Sequence, residues 1–180
     1  MSHQKLSIRE LQRISTEEFK GVKKLPLIVV LDNIRSLHNI GAIFRTCDAF
    51  RISQIHLCGL TAKPPHAEIH KTALGAEYSV DWKYYDNTIE SIHALKAIGY
   101  TLLAVEQAKD SIMLDRLQLD PTKKYAIIMG NEVKGVQQQV IDICDGCIEI
   151  PQYGTKHSLN VSVSAGMVIW QCFTQLPLEE

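Results

Sequence analysis

The sequence predicts an α/β protein with a mostly parallel sheet and helices on both faces. Two observations carry this. From Pro26 onward, short β-rich runs alternate with helical patterns, as in strands joined by crossover helices. The runs Leu27–Leu31 and Tyr125–Met129 are unbroken apolar stretches, which suits central strands buried on both sides. At 180 residues the chain can bury one sizeable core. No repeat, low-complexity tract or linker divides it, so one domain is expected over residues 1–180, with a short helical extension at about 1–24.

The elements follow in order. Ile8, Leu11, Ile14 and Phe19 fall close to helical spacing, which predicts an opening helix from Leu6 to Val22. Its basic residues (Lys5, Arg9, Arg13, Lys20, Lys23, Lys24) outnumber Glu10, Glu17 and Glu18, which reads as a solvated face or as a basic arm. Strands are expected at Leu27–Leu31, Gln54–Cys58, Tyr78–Tyr84, Thr101–Val105, Tyr125–Met129 and Cys147–Ile150. Helices are expected near Asn39–Phe50, His66–Leu74, Thr88–Ile98, Val136–Cys144 and from about Ser158 to Phe173.

Composition bounds the function. Apolar residues make up 46% and charged residues 22%, ordinary values for a soluble globular protein. No apolar run approaches the roughly 20 residues of a membrane span. Met1-Ser2-His3-Gln4-Lys5 does not read as a signal peptide, so a cytoplasmic location is expected. Five cysteines, an odd number, suit reduced thiols better than a disulfide framework. The net charge of −1 lacks the basic excess of a typical nucleic-acid binder. Any such contact would need a local patch or the pooled surfaces of two subunits.

Ligands of open α/β sheets bind beyond the carboxyl ends of the strands, and three of those loops stand out. The first runs from Asp32 to Arg45, with Asn39 as a candidate N-cap and Ile40, Ile43, Phe44 and Cys47 on one sheet-facing side. Arg35, Arg45 and Asn39 would suit a phosphate, since guanidinium forks match its oxygens. On pattern alone, a capped helix with a surface arginine is the better explanation. The second, Met129–Val136, holds Gly130 and Gly135, which permit positive φ or close backbone approach. It has neither the Walker spacing nor the dinucleotide fingerprint. The third, Ile150–Gly166, offers Ser158 and Asn160 as N-caps. Ser162, Ala165, Gly166 and Ile169 make a stripe of mostly small residues there, suited to tight packing within the fold or across a dimer.

Other constellations carry less. Cys144-Asp145-Gly146-Cys147 is a lone CxxC at a helix-to-strand turn, without the further ligands of a zinc site, and no metal is expected. His66 and His70 lie one turn apart, but Glu68 is misplaced for a zincin. No GxSxG elbow supports a hydrolase.

Taken together, the three loops resemble the three motifs of the SpoU family, also called TrmH-like, within the SPOUT methyltransferases. The motifs are Asn39–Arg45, Met129–Gly135, and Ile150–Gly154 followed by Ser158–Ser162, and the resemblance spans roughly Leu25 to Phe173. It implies a deep C-terminal trefoil knot, an exception to the usual rule against knots. It also implies an obligate homodimer that methylates a ribose 2′-hydroxyl of RNA from S-adenosylmethionine. By motif position, the cofactor-binding residues would be Val105, Gly130, Ile150, Ser158 and Leu159. Arg45 would be the main catalytic residue, set beside the other subunit's donor site, with Asn39, Glu132, Ser158 and Asn160 positioning the reactants. The family role for Arg45 is general base, but a guanidinium with pKa above ~12 is a poor base. A clamp on a substrate phosphate is the alternative. One departure is Asn131, where the family often has Ser or another small residue.

Leu103–Gln107, Gly130–Glu132 and Cys147–Gln152 are similar to enzymes that modify a tRNA D-loop guanosine, so tRNA ranks above ribosomal RNA. No separate RNA-binding domain of the kind some relatives carry is expected. Lys63, His66, Lys71, Lys134, Lys156 and the basic N-terminal arm are candidate backbone contacts, though each also reads as surface charge. The rivals are a ribosomal RNA enzyme, a SPOUT enzyme acting on a base nitrogen, a non-catalytic RNA-binding protein of this fold, and a Rossmann-like nucleotide module.

Overall fold

The computed structural model describes residues 3–7 and 10–178. Its strands are β1 (Leu25–Asp32), β2 (Ile52–Cys58), β3 (Trp82–Tyr85), β4 (Tyr100–Val105), β5 (Ile112–Met113), β6 (Lys124–Met129) and β7 (Gly146–Glu149). Its helices are α1 (Thr16–Gly21), α2 (Leu37–Ala49), α3 (Ala67–Ala73), α4 (Ala76–Ser79), α5 (Thr88–Ala97), α6 (Gln138–Ile141) and α7 (Val161–Phe173). The strands form one 7-stranded sheet in the order β3-β2-β1-β6-β4-β7-β5. Every pairing is parallel, from Val29 opposite Ile127 at the centre to Ile112 opposite Ile148 at the edge.

The apolar runs are buried as the sequence predicts. Leu27, Val29 and Leu31 of β1, with Ile127 and Met129 of β6, join a core that includes Ile40, Ile43, Phe44 and Cys47 of α2 and Ala165, Val168 and Ile169 of α7. Ile28, Val30, Ala126 and Ile128 point the other way and meet Ile92 and Leu95 of α5 and Val140 of α6. Successive strand residues face opposite layers, so a central strand covered on both sides has no polar alternation to show. α2 and α7 lie side by side and parallel. Asn39 and Asn160 touch at their starts, and Phe50 lies 5.7 Å from Trp170 and 5.0 Å from Phe173, ring centre to ring centre, at their ends.

Several predicted boundaries are corrected. The opening helix is one short turn, α1, because Gln12 at φ +45° cannot continue a right-handed helix. The turn starts only where Ser15 and Glu18 form a capping box. Ile8 and Arg9 of that expected helix, and Met1 and Ser2, lie outside the described residues. The expected strand Tyr78–Tyr84 begins as α4, and only Trp82–Tyr85 pairs, against β2. The expected helix Val136–Cys144 shrinks to α6, because carboxylates far away in sequence take its first backbone donors. Strand β5, a two-residue edge, has too little periodicity to be read. Asn39 does not cap α2. Ser36 does, its Oγ accepting from the Asn39 amide at 3.3 Å, which leaves the Asn39 side chain free. Asn160 caps α7, accepting from the amides of Ser162 and Val163. The final helix therefore begins three residues later than Ser158.

All five cysteines are free thiols, and burial pushes Cys58, Cys144 and Cys172 up to about 12, so they are unreactive at neutral pH. Among the described residues no helix is long and apolar enough to cross a membrane.

Candidate functional site

Because all the strands run parallel, the carboxyl ends of β1, β6, β4 and β7 share one edge of the sheet centre. The strand order reverses there: β1 to β3 extend one way and β4, β5 and β7 the other. Such a switch point leaves a crevice. A cavity of about 900 Å3 occupies it, walled by the loops after β4, β6 and β7. Val105, Gly130, Ile150, Ser158 and Leu159, the residues that the motifs single out, all line it, as does Glu132.

The loop after β6 is rigidly built. Gly130 is required sterically, since a Cβ there would sit 2.1 Å from the Val136 nitrogen and 2.2 Å from the Gly135 carbonyl carbon. The chain doubles back through paired backbone bonds between Asn131 and Gly135 (3.1 and 2.8 Å). The Asn131 side chain completes the turn, accepting from the amides of Val133 and Lys134 and donating to the Asn33 carbonyl at 2.8 Å. The asparagine in place of a smaller residue thus ties this loop to the end of β1. Gly135 adopts φ +64°, and a Cβ on it would meet Glu106 Oε2 at 1.9 Å.

Two carboxylates outside the predicted site residues hold the loop's far end. Asp32, fully buried, accepts from Thr88 Oγ1 (2.5 Å), Asn33 Nδ2 (2.9 Å), Gln137 Nε2 (2.8 Å) and the Gln137 amide (3.1 Å). Glu106 accepts from the amides of Val136 (2.9 Å) and Gln107 (2.9 Å). A buried carboxylate such as Asp32 is tolerated only when its lone pairs are engaged, and both it and the half-buried Glu106 pin a backbone segment. An acidic residue closing an apolar strand is the one local signal that could have marked them. Gln107 Nε2 in turn donates to the His157 carbonyl at 2.7 Å, joining the loop after β4 to the one after β7.

At the mouth, a chain of hydrogen bonds joins three of the predicted positioning residues. Asn160 Nδ2 donates to Asn39 Oδ1 (3.1 Å), and Asn39 Nδ2 donates to Glu132 Oε1 (3.0 Å). The carboxylate of Glu132 is thereby held near the starts of α2 and α7, where helix dipoles favour negative charge. Ser158 stands apart from this chain, exposed on the cavity wall.

Arg45 is not brought into the cavity. Six residues beyond Asn39, about 9 Å along the helix axis, it lines a separate cleft with Asp48 and the segment around Ser15. Arg35 is exposed in the loop before α2. Of the other basic candidates, Lys63 lies over the Tyr84 ring, Lys71 pairs with Glu68, His66 caps α3, and Lys134 lines the cavity.

Comparison with known proteins shows the family and agrees with the fold. The model of the SpoU rRNA Methylase family matches residues 26–170. The chain is 32% identical over 166 residues to the tRNA (guanosine(18)-2'-O)-methyltransferase of Thermus thermophilus, covering 92% of this chain and 84% of that protein. The solved structure of the Aquifex aeolicus TrmH/SpoU tRNA modifying enzyme superposes with a TM-score of 0.75 at 32% identity, over 89% of this chain and 79% of the other. An AdoMet-bound rRNA methyltransferase from Sinorhizobium meliloti gives 0.76 at 27% identity, over 86% and 59%.

Proposed function

The chain belongs to the SpoU rRNA Methylase family, and on that premise we propose that it methylates a ribose 2′-hydroxyl of RNA, with S-adenosylmethionine as donor. The observation that carries this is the coincidence of Val105 and the motif residues Gly130, Ile150, Ser158 and Leu159 around one 900 Å3 cavity. Its chemistry fits the donor. Val105, Ile150 and Leu159 offer an apolar slot for a flat base, while Ser158, Gln107 and Glu132 offer polar groups for a ribose and an amino acid. When bound, the donor supplies a sulfonium methyl already activated toward nucleophiles, so no metal is called for.

The chain's own residues then have distinct parts. Asn39, Asn160 and Glu132 hold the mouth in one arrangement, and Ser158 orients the ligand from the wall. Arg45 clamps a substrate phosphate and aligns the 2′-hydroxyl for in-line attack. A guanidinium stays cationic in proteins, which suits a clamp better than a base, and alignment supplies much of the barrier reduction in such transfers.

The separation of Arg45 from the cavity supports a homodimer in which Arg45 serves the partner's donor site. So does α7, which exposes Val163 (49%), Met167 (42%) and Trp170 (53%) along one stripe beside the open Gly166. The deep trefoil knot belongs to the same proposal. It is supported by β7 lying between β4 and β5, by the Gln107–His157 tie, and by the return of α7 to the side of α2. Residues 1–180 would act as one catalytic domain, with about 1–24 as its extension, in the cytoplasm.

tRNA ranks first as substrate, because the relative named for guanosine-18 of tRNA aligns over 84% of its length. Ribosomal RNA is the second reading, favoured by the similar Sinorhizobium rRNA methyltransferase. The test is transfer of a labelled methyl group from S-adenosylmethionine to unmodified tRNA and, separately, ribosomal RNA, with Arg45→Ala alongside. A 2′-O-methylnucleoside that forms with wild type and fades with the variant supports the assignment. Donor binding without transfer to either pool points to a non-catalytic RNA-binding role.

A further inference from the structure

The cleft that holds Arg45 contains two more arginines. It measures about 600 Å3 and is walled by Gln12–Thr16, the end of α2 and Leu74–Ser79. Arg13 stands on the first wall, and Arg51 lies just past the end of α2. Among the described residues Asp48 is the only acid lining it, and its carboxylate is engaged by Ser79 Oγ at 2.5 Å. The hydrogen bonds and ion pairs among the described residues include none to the three guanidiniums. Three unpaired cations facing one occupied carboxylate make a local excess in a chain whose net charge is −1.

Arg51 adds an independent observation. It adopts φ +49°, the left-handed conformation that follows many helices and that glycine or asparagine adopts with least strain. Its backbone is fully used, with Arg51 N donating to the Asp48 carbonyl and Leu25 N donating to the Arg51 carbonyl. Among the described residues its half-buried side chain makes no hydrogen bond or ion pair, so no polar partner within the fold engages the guanidinium. Nearby Lys24 is held below its ordinary value, chiefly by burial, with the Arg51 charge adding to the effect and Asp81 opposing it.

We propose that Arg13, Arg45 and Arg51 line a binding cleft for RNA backbone phosphates, in which Arg13 and Arg51 hold the phosphodiesters flanking the nucleotide that Arg45 addresses. Guanidinium forks fit phosphate oxygens in pairs, and Arg13 and Arg45 are exposed, so a ligand can reach them from solvent. The placement of the target nucleotide rests on the function proposed above. The phosphate cleft itself rests only on the three arginines.

The test is binding of a fluorescent, unmodified tRNA transcript to the full chain at several salt concentrations. Arg13→Ala, Arg51→Asn and the double variant are compared with wild type, and transfer and donor affinity are measured on the same samples. Each single variant is expected to weaken RNA binding about 5- to 10-fold and to lower the slope of log affinity against log salt by about 0.7–0.9. Donor affinity stays unchanged. Arg51→Asn keeps or raises Tm, by about 2 °C, as strain is relieved, so weakened RNA binding cannot be laid to unfolding. Unchanged RNA affinity and slope in both variants, with transfer intact, overturns the cleft and leaves the enzyme reading standing. Cleft-dependent RNA binding without transfer to any RNA does the reverse. No RNA binding by wild type overturns both.

Discussion

Asn39 and Glu132 are 93 residues apart in sequence, yet Asn39 Nδ2 donates to Glu132 Oε1 at 3.0 Å while Asn39 Oδ1 accepts from Asn160. One amide thus spans the first, second and third motifs. Asn39→Ala is expected to cost about 1 kcal/mol of stability, the net worth of a pair of partly exposed hydrogen bonds. Methyl transfer should fall about 10- to 100-fold, because the mouth loses its arrangement. Asn39→Asp should be worse on both counts, since it sets a second carboxylate against Glu132. Thermal melts and single-turnover transfer measure the two effects, and a stable Asn39→Asp variant of wild-type rate would contradict the bridge.

Asp32 carries a heavier structural load. Replacement by Ala strips the partners from the buried Thr88 and from the half-buried Asn33 and Gln137. The expected loss is on the order of 3 kcal/mol in urea unfolding, with Asp32→Asn recovering part of it. Donor affinity should drop alongside, because Gln137 anchors the loop that bears Gly130.

Gly130→Ala tests the loop from the other side. The Cβ meets backbone, which cannot swing aside, so the turn must open and donor binding should be lost. Gly135→Ala meets the end of the Glu106 side chain instead, at an unfavourable φ of +64°. It should retain weakened donor binding. Calorimetric titration with S-adenosylmethionine separates the two, and equal affinities would show that the doubling-back is not needed.

A composite site predicts complementation. Arg45→Ala and Gly130→Ala subunits, each inactive alone, should recover about a quarter of wild-type activity when co-refolded in equal amounts. Half of the two-fold dimers are then mixed, with one intact site of two. Met167→Glu, on the exposed stripe of α7, should give a folded monomer without transfer activity. Sedimentation and activity of the mixtures decide the matter, and no recovery would mean that Arg45 serves its own subunit.

His56 sets a pH dependence of stability. It is buried between Ser91 Oγ (2.7 Å) and Gln54 Oε1 (2.8 Å), and burial, with the Lys83 charge adding to it, brings its pKa down to about 4. The unfolded chain takes up that proton near 6.5. Stability is therefore fully present above about pH 6.5, falls as pH drops toward 4, and loses nothing further from this group below that. The loss amounts to on the order of 3 kcal/mol. His56→Gln should flatten that stretch of the unfolding profile.

The sequence by itself determined which segments become the central strands and which residues bear the chemistry. Leu27–Leu31 and Tyr125–Met129 could only be buried on both faces, because their apolar character has no polar alternation to point one face at water. Gly130, Asn39, Asn160 and Arg45 were legible as members of ordered motifs, each motif being local in sequence. Tertiary structure alone decided how the motifs meet. Asn39 reaches Glu132 and Asn160 because parallel pairing puts the ends of β1, β6, β4 and β7 on one edge, a register no local pattern encodes. α6 came out short for the same reason, since the distant carboxylates of Asp32 and Glu106 hold the Gln137 and Val136 amides, whereas the capping of α2 by Ser36 in place of Asn39 is a local choice between two eligible side chains. The parting of Arg45 from the cavity was also decided in three dimensions. Six residues of helix carry it to the far end of α2, and a sequence reads the same whichever subunit's ligand that end faces.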